Sequence, residues 1–275
     1  MRISPVVLRG YLYDGGSYND LRLNVEQITD GPSRAEGMDS IFTNSYAVLC
    51  NLSDITRVGE SGDTFLMLTN DTTHSPAILQ EPEYIPAEHV DNRAYDEANR
   101  DRFTLNGRTL PMDNARQMSH YHANMAAMLK LGEWFDFLRA QGVYDNTRII
   151  IVADHGNYLG QMEDLRLDER EEVMNYNPLL LVKDFGSTEL RVDDQFMTNA
   201  DTPTLAMAGL IESPVNPFTG QPVDSSAKLS GPQKILCSHA FDILVNNGNT
   251  YLPGPWYSVH DDIFDLSNWE SLGVE

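Results

Sequence analysis

The sequence predicts an α/β protein with a largely parallel central sheet and a small antiparallel hairpin near its C-terminus. Two apolar runs, Arg148-Ile-Ile-Ile-Val-Ala153 and Pro178-Leu-Leu-Leu-Val-Lys183, have the pattern of strands that a parallel sheet buries on both faces. Helical segments alternate with such runs, which is typical of a layered α/β fold. Because no linker rich in Pro, Gly or Ser interrupts the chain, residues 1–275 are predicted to form a single domain. Residues from about 235 to 275 are predicted to form its antiparallel appendage.

The helices and the remaining strands follow from apolar spacing. Apolar side chains from Ile41 to Cys50 recur on one helical face, which predicts a helix over about 38–52. Thr64-Phe-Leu-Met-Leu-Thr69 has the pattern of a buried strand, and the polar residues 81–113 indicate a long surface excursion with little core of its own. A long amphipathic helix then begins after Asp113 and is expected to stop at Gly142.

Towards the C-terminus two further elements are predicted. Asp201-Thr202-Pro203 has the form of a capped helix start, with proline in the first turn. Apolar segments 241–245 and 250–252 flank Asn246-Asn-Gly-Asn249, which predicts a hairpin. Cys50 and Cys237 lack metal-site spacing and are expected to behave as small buried hydrophobes, with a single disulfide left open.

The charge balance excludes several classes of partner. With 19 Lys and Arg against 41 Asp and Glu, the chain carries a formal net charge of −22. Such a surface disfavours nucleic acid, which is bound through Lys and Arg, and it disfavours adhesion to anionic membranes. No apolar run reaches the roughly 18 residues of a membrane span. An anionic substrate would therefore have to be attracted locally, by a bound metal ion or by a few basic side chains.

The strongest chemical signal lies where the predicted strand 148–153 ends, at Asp154-His155-Gly156. Ligands gather at the carboxyl ends of strands in open α/β sheets, and Gly156 permits a sharp bend after the two polar residues. A carboxylate oxygen and an imidazole nitrogen suit a divalent metal such as zinc or manganese. Since an Asp-His pair after a strand is common, spacing alone leaves an ordinary surface loop open as the alternative.

The segment Gly142–Gly156 resembles the sulfatase family of the alkaline phosphatase superfamily, in which a "dnT" connection leads into a strand and a D-H-G motif. The resemblance extends to the membrane-anchored phosphoglycerol and phosphoethanolamine transferases of bacterial envelopes. It implies that Asp154 and His155 are metal ligands. Asn70–Pro76 is similar to the family's H-x-P segment, which implies that His74 contacts the anionic group of the substrate; a capping or packing histidine is the alternative there. Residues 199–209 resemble a structural helix of the family, so the resemblance covers roughly residues 38–210.

The sequence departs from this family in two ways. It has no acid-bearing first strand with a Ser, Thr or modified Cys nucleophile, and no histidine follows Asp154-His155-Gly156 before His239. The expected reading is the C-terminal part of a metal-dependent sulfatase-like hydrolase or phospho-transferase, with the nucleophile-bearing N-terminal part missing. The implied substrate is a sulfate or phosphate ester, the implied cofactor is Mn, Mg, Ca or Zn in an incomplete site, and the implied location is the extracytoplasmic face of the cell envelope. The alternative is a catalytically degenerate binding or structural module of the same fold.

Overall fold

The computed structural model describes residues 40–59, 62–74, 77–105, 107–169, 171–237 and 253–274. The chain divides into two compact units, Met1–Phe137 and Leu138–Glu275, and each is described by itself. The expectation of a single domain stays a prediction. None of the helices in the described ranges is long and apolar enough to cross a membrane.

The first unit is built around two helices. Helix α1 spans Ser40–Cys50, as its apolar spacing predicts, and a short α2 follows at Leu52–Ile55. The long helix α4, Ala115–Ala140, carries the other half of the core and ends three residues into the second unit. The end of α4 agrees with the predicted stop at Gly142: this glycine has a φ of 71°, and its N–H donates to the Arg139 carbonyl at 2.9 Å. The core contains Phe42 and Tyr46 of α1, Ala123 and Ala126 of α4, and Ala77, Leu79 and Tyr84 between them.

The predicted strand at Thr64–Thr69 is wrong. These residues form neither strand nor helix, and the Phe65 side chain is 82% exposed. Leu66, Met67 and Leu68 are exposed as well. An apolar run is buried only if other elements cover it. In the described part of the first unit, no strand lies beside residues 64–69.

The predicted surface excursion, residues 81–113, is partly wrong. It contains helix α3 (Arg93–Ala98), a 3-10 helix (Arg100–Phe103) and a small antiparallel hairpin of β1 (Thr104–Leu105) and β2 (Arg108–Thr109). Glu81, Tyr84 and Asn92 are buried within it. Some of the polar residues that suggested a loop form a buried hydrogen-bond network instead. Within it, the Glu81 carboxylate lies 3.0 Å from the guanidinium of Arg102.

The second unit begins with a two-stranded sheet. Strands β3 (Ile149–Val152) and β4 (Leu180–Lys183) occupy the two predicted apolar runs, but they pair antiparallel, with Val152 opposite Leu180. A largely parallel central sheet is not present in the described residues, whose sheets are all small and antiparallel. Since only two strands pair, their side chains stay half exposed, and Leu181 and Val182 reach 38% and 43% exposure.

The helix predicted at Asp201 is α5, Thr202–Met207, but Asp201 does not cap it. The Asp201 carboxylate turns back to accept a hydrogen bond from the Thr198 N–H at 2.6 Å, and it pairs with Lys228 at 2.6 Å. Both partners of the pair are almost fully buried. Burial raises the pKa of Asp201, but the bonds from Lys228 and Thr198 outweigh that effect and hold the pKa below its usual value.

An antiparallel sheet of β5 (Gln233–Leu236), β6 (Pro255–Val259) and β7 (Trp269–Val274) forms the C-terminal part of the described residues. The predicted hairpin at 241–252 lies outside the described residues. Both cysteines are free; Cys237 is buried as predicted, whereas Cys50 is exposed at the end of α1. Short 3-10 helices complete the unit at Glu163–Leu165, Val173–Tyr176, Asn199–Asp201, Ser226–Ser230 and Leu266–Asn268.

Candidate functional site

Asp154 and His155 lie in a loop directly after β3, where the sequence predicts them. The hydrogen bonding between β3 and β4 continues one residue past the end of β3, where the Ala153 N–H donates to the Leu179 carbonyl at 2.9 Å. The chain then leaves the sheet, so the two polar side chains stand at the carboxyl end of the strand.

Three backbone contacts fix this loop. The Asn199 amide donates to the carbonyls of Ala153 and Asp154, at 3.1 and 2.7 Å. The Gly156 N–H donates to the Asn175 carbonyl at 3.0 Å. A Cβ at Gly156 would lie 1.7 Å from the carbonyl oxygen of Met174. Glycine is therefore required here by close backbone approach rather than by the bend that the sequence suggests.

The two side chains are turned towards solvent. Asp154 is 90% exposed and His155 is 66% exposed. The His155 Nδ1 lies 2.5 Å from the Gly156 carbonyl, and because a carbonyl oxygen only accepts, Nδ1 carries the proton in the neutral ring. The lone pair of Nε2 is then free, and Nε2 lies 3.8 Å from Oδ2 of Asp154.

This separation is slightly wider than that of two ligands of one tetrahedral cation. With ligand bonds of about 2.1 Å, as for zinc, atoms 3.8 Å apart subtend an angle of about 130° at the metal, against about 109° in a tetrahedron, so the two exposed side chains must approach each other by about 0.4 Å to share one ion. No cluster of three or more His, Cys, Asp or Glu that could hold a metal occurs within the described ranges. The described chain therefore presents two ligands, whereas stable zinc sites take three or four from the protein.

A buried polar network that the sequence did not reveal lies behind the loop. The 3-10 helix Val173–Tyr176, whose Met174 carbonyl meets Gly156, is anchored by the Tyr176 hydroxyl. That hydroxyl donates to the Glu171 carboxylate at 2.7 Å and lies 2.6 Å from the Cys237 sulfur. Burial, and then these two partners, raise the pKa of Tyr176 far above its usual range. Its partners are five and 61 residues away along the chain, and no local pattern signals the distant one.

His74 lies in a turn of the first unit, Thr72–His74, with its side chain exposed and its N–H 3.1 Å from the Asp71 carbonyl. Burial, and then Arg116 and His74, lower the pKa of His120 on α4, which places the two histidines near each other. The resemblance implies that His74 and Asp154 serve one site and should therefore lie close together; because they belong to two units that are described separately, this stays a prediction.

Comparison with known proteins identifies no relative. No protein-family model, no curated protein and no solved structure matches the chain. The sulfatase-like reading therefore depends on the residues of the motif and on the geometry of the loop.

Proposed function

We propose that this chain is the C-terminal portion of a metal-dependent sulfatase-like hydrolase or phospho-transferase that acts on sulfate or phosphate esters. The observation that carries the proposal is the exposed pair at the end of β3, with a free Nε2 lone pair on His155 3.8 Å from the Asp154 carboxylate. The layered sulfatase-like fold, a parent protein in the cell envelope and a location on its extracytoplasmic face belong to the same proposal.

In this proposal each residue has a limited task. Asp154 and His155 hold a divalent cation, which when bound neutralises charge on the phosphoryl or sulfuryl group and polarises the attacking oxygen. Asn199 and Gly156 fix the loop backbone that carries the two ligands. His74 contacts an oxygen of the anionic group. The nucleophile and the remaining ligands come from residues that the motif does not cover.

The half-exposed apolar side chains of β3 and β4 support this reading over an isolated module. Continuous apolar strands are typical of sheets covered on both faces, and exposed apolar patches mark surfaces that pack against something else. The degenerate module is the second candidate, and the two-ligand site among the described residues favours it. Activity of a longer parent protein separates the two candidates.

Calorimetry with Mn²⁺ and Zn²⁺ tests the proposal on the chain itself. We expect weak binding, with a Kd of roughly 0.1–1 mM because only two protein ligands act, and loss of that binding in Asp154→Asn and His155→Ala. His260→Ala is a matched control, since His260 and Asp261 form another exposed pair, with Nδ1 and Oδ2 2.9 Å apart. Equal binding by all four proteins would mean general attraction of cations to an acidic surface and would overturn the proposal, as would no binding at all.

The same samples are assayed with aryl sulfates and aryl phosphates. We expect no turnover, because neither the chain's described geometry nor its motif supplies a nucleophile. Turnover that disappears in His155→Ala would show a nucleophile within the 275 residues, and the reading as a C-terminal portion would then be wrong.

A further inference from the structure

A hairpin loop of the second unit, residues 214–223, exposes a group of apolar side chains. An isolated antiparallel bridge places Val215 opposite Pro222, so these two side chains lie on the same face of the hairpin. Pro217 and Phe218 lie in the turn between them, and all four residues are exposed. Phe218, at 95%, is the most exposed large apolar side chain in the part of the chain that the structure describes. None of these residues takes part in the proposed metal chemistry.

The backbone of this loop satisfies its own hydrogen bonds. Six N–H groups donate to acceptors within the loop at 2.8–3.3 Å, those of Asn216, Phe218, Thr219, Gly220, Gln221 and Val223. Pro217 and Pro222, the other two residues of this stretch, have no N–H. Residues 216–223 therefore keep no N–H that needs water as its partner.

The loop also carries no charge. Residues 213–223 contain no Asp, Glu, Lys, Arg or His, although 22% of the residues of the whole chain are charged. Taking a charge or an unbonded polar group out of water is costly, whereas taking an apolar side chain out of water is favourable. An apolar environment therefore stabilises the exposed side chains of this loop, and neither a charge nor an N–H group opposes the transfer.

A lipid surface fits this loop better than a protein partner does. Protein interfaces carry about one hydrogen bond per 100–200 Å² of buried area, and the N–H donors of residues 216–223 are already used. Lipid imposes the opposite condition, that each backbone donor entering it is satisfied within the protein. The loop meets that condition.

Charge selects the kind of lipid. The chain has a formal net charge of −22, and residues 192–227 contain no Lys or Arg that would attract an anionic head group. Anionic lipid therefore repels this part of the chain, and a zwitterionic lipid does not.

We propose that the hairpin loop 214–223 inserts its tip into the surface of a zwitterionic membrane. The Phe218 side chain reaches the boundary of the acyl chains, and Val215, Pro217 and Pro222 lie among the head groups around it. A few apolar side chains give weak and reversible binding, so half of the chain should be bound at roughly 1–10 mM lipid.

Co-sedimentation of the full chain with sucrose-loaded vesicles tests this proposal. We expect binding to phosphatidylcholine vesicles and weaker binding when half of the lipid is phosphatidylserine. Phe218→Ser should weaken binding to phosphatidylcholine by at least about tenfold. Leu190→Ser is the matched control, since Leu190 is 93% exposed but lies between Glu189 and Arg191, and it should bind as the unmodified chain does. Both changes are at exposed positions, and equal urea unfolding of the two variants checks that each is folded.

Insertion itself is measured with tryptophan. In Phe218→Trp the added fluorescence should shift to the blue on phosphatidylcholine vesicles and be quenched by brominated acyl chains, whereas in Leu190→Trp it should do neither. Four results would overturn the proposal. They are no binding at tens of millimolar phosphatidylcholine, tighter binding to the vesicles with phosphatidylserine, binding that survives Phe218→Ser, or an unquenched Phe218→Trp. Dimerisation of the chain that Phe218→Ser abolishes would also overturn it, because a second copy would then cover the loop.

Discussion

Replacing Gly156 by alanine should damage the loop that carries Asp154 and His155. The new Cβ would lie 1.7 Å from the Met174 carbonyl oxygen and 3.1 Å from that of Asn177. Ordinary contacts need about 3.5 Å, so the loop and the 3-10 helix must separate by roughly 1.5–2 Å. That movement breaks the 3.0 Å bond from the Gly156 N–H to the Asn175 carbonyl. Overpacking costs about 1–3 kcal/mol and the lost hydrogen bond about 1 kcal/mol, so the free energy of unfolding should fall by about 2–4 kcal/mol.

The assay is urea unfolding followed by tryptophan fluorescence. The chain has three tryptophans, of which Trp256 and Trp269 lie in the second unit, so a Trp134→Phe background restricts the signal to that unit. The control is Gly132→Ala in α4, measured with Trp134 present. No heavy atom lies within 4 Å of its added Cβ, and alanine in a helix interior should stabilise by up to about 1 kcal/mol. A Gly156→Ala variant within about 0.5 kcal/mol of its parent would refute the close approach.

Three further outcomes are expected. Lys228→Met leaves the Asp201 carboxylate buried without its cation, so the free energy of unfolding in urea should fall by about 3–5 kcal/mol. The control is Arg191→Met, which breaks an exposed pair with Asp193 and should change the free energy of unfolding by less than about 0.5 kcal/mol. Similar losses in both variants would contradict the burial of the Lys228–Asp201 pair. Folding lowers the pKa of His122 from 6.5 to about 4, chiefly through burial, while Asp96 raises and Arg102 lowers it. As the pH falls, His122 is therefore protonated in the unfolded chain before it is protonated in the folded one. Its contribution to the free energy of unfolding is complete above about pH 6.5 and falls by about 3 kcal/mol as the pH drops to about 4. Trp134 fluorescence during urea unfolding measures this, and a His122→Gln variant with the same pH profile as its parent would refute it. Gly156→Ala should also weaken Mn²⁺ binding in the calorimetric titration, because the two ligands move with the loop, whereas Gly132→Ala should leave it unchanged.

The sequence by itself determined those helices and strands whose apolar pattern is contained within the element. Helices α1 and α4 and strands β3 and β4 follow from apolar spacing, because each repeats a pattern over its own length, and the stop of α4 follows from the glycine at position 142. The position of Asp154 and His155 follows from the same local reasoning, since they come directly after an apolar run. Their role as metal ligands stays a prediction.

Tertiary contacts decided what no local pattern contains. The exposure of Phe65 to Leu68, the antiparallel pairing of β3 with β4 and the exposure of Cys50 depend on which distant segments cover them. The reason Gly156 must be glycine is a carbonyl 18 residues further on, and the buried ring of His122 is held by a backbone N–H 43 residues away. A sequence records which groups can donate, accept or pack, but which partners meet is set by the folded chain as a whole, because each pairing depends on the geometry of all the segments between them.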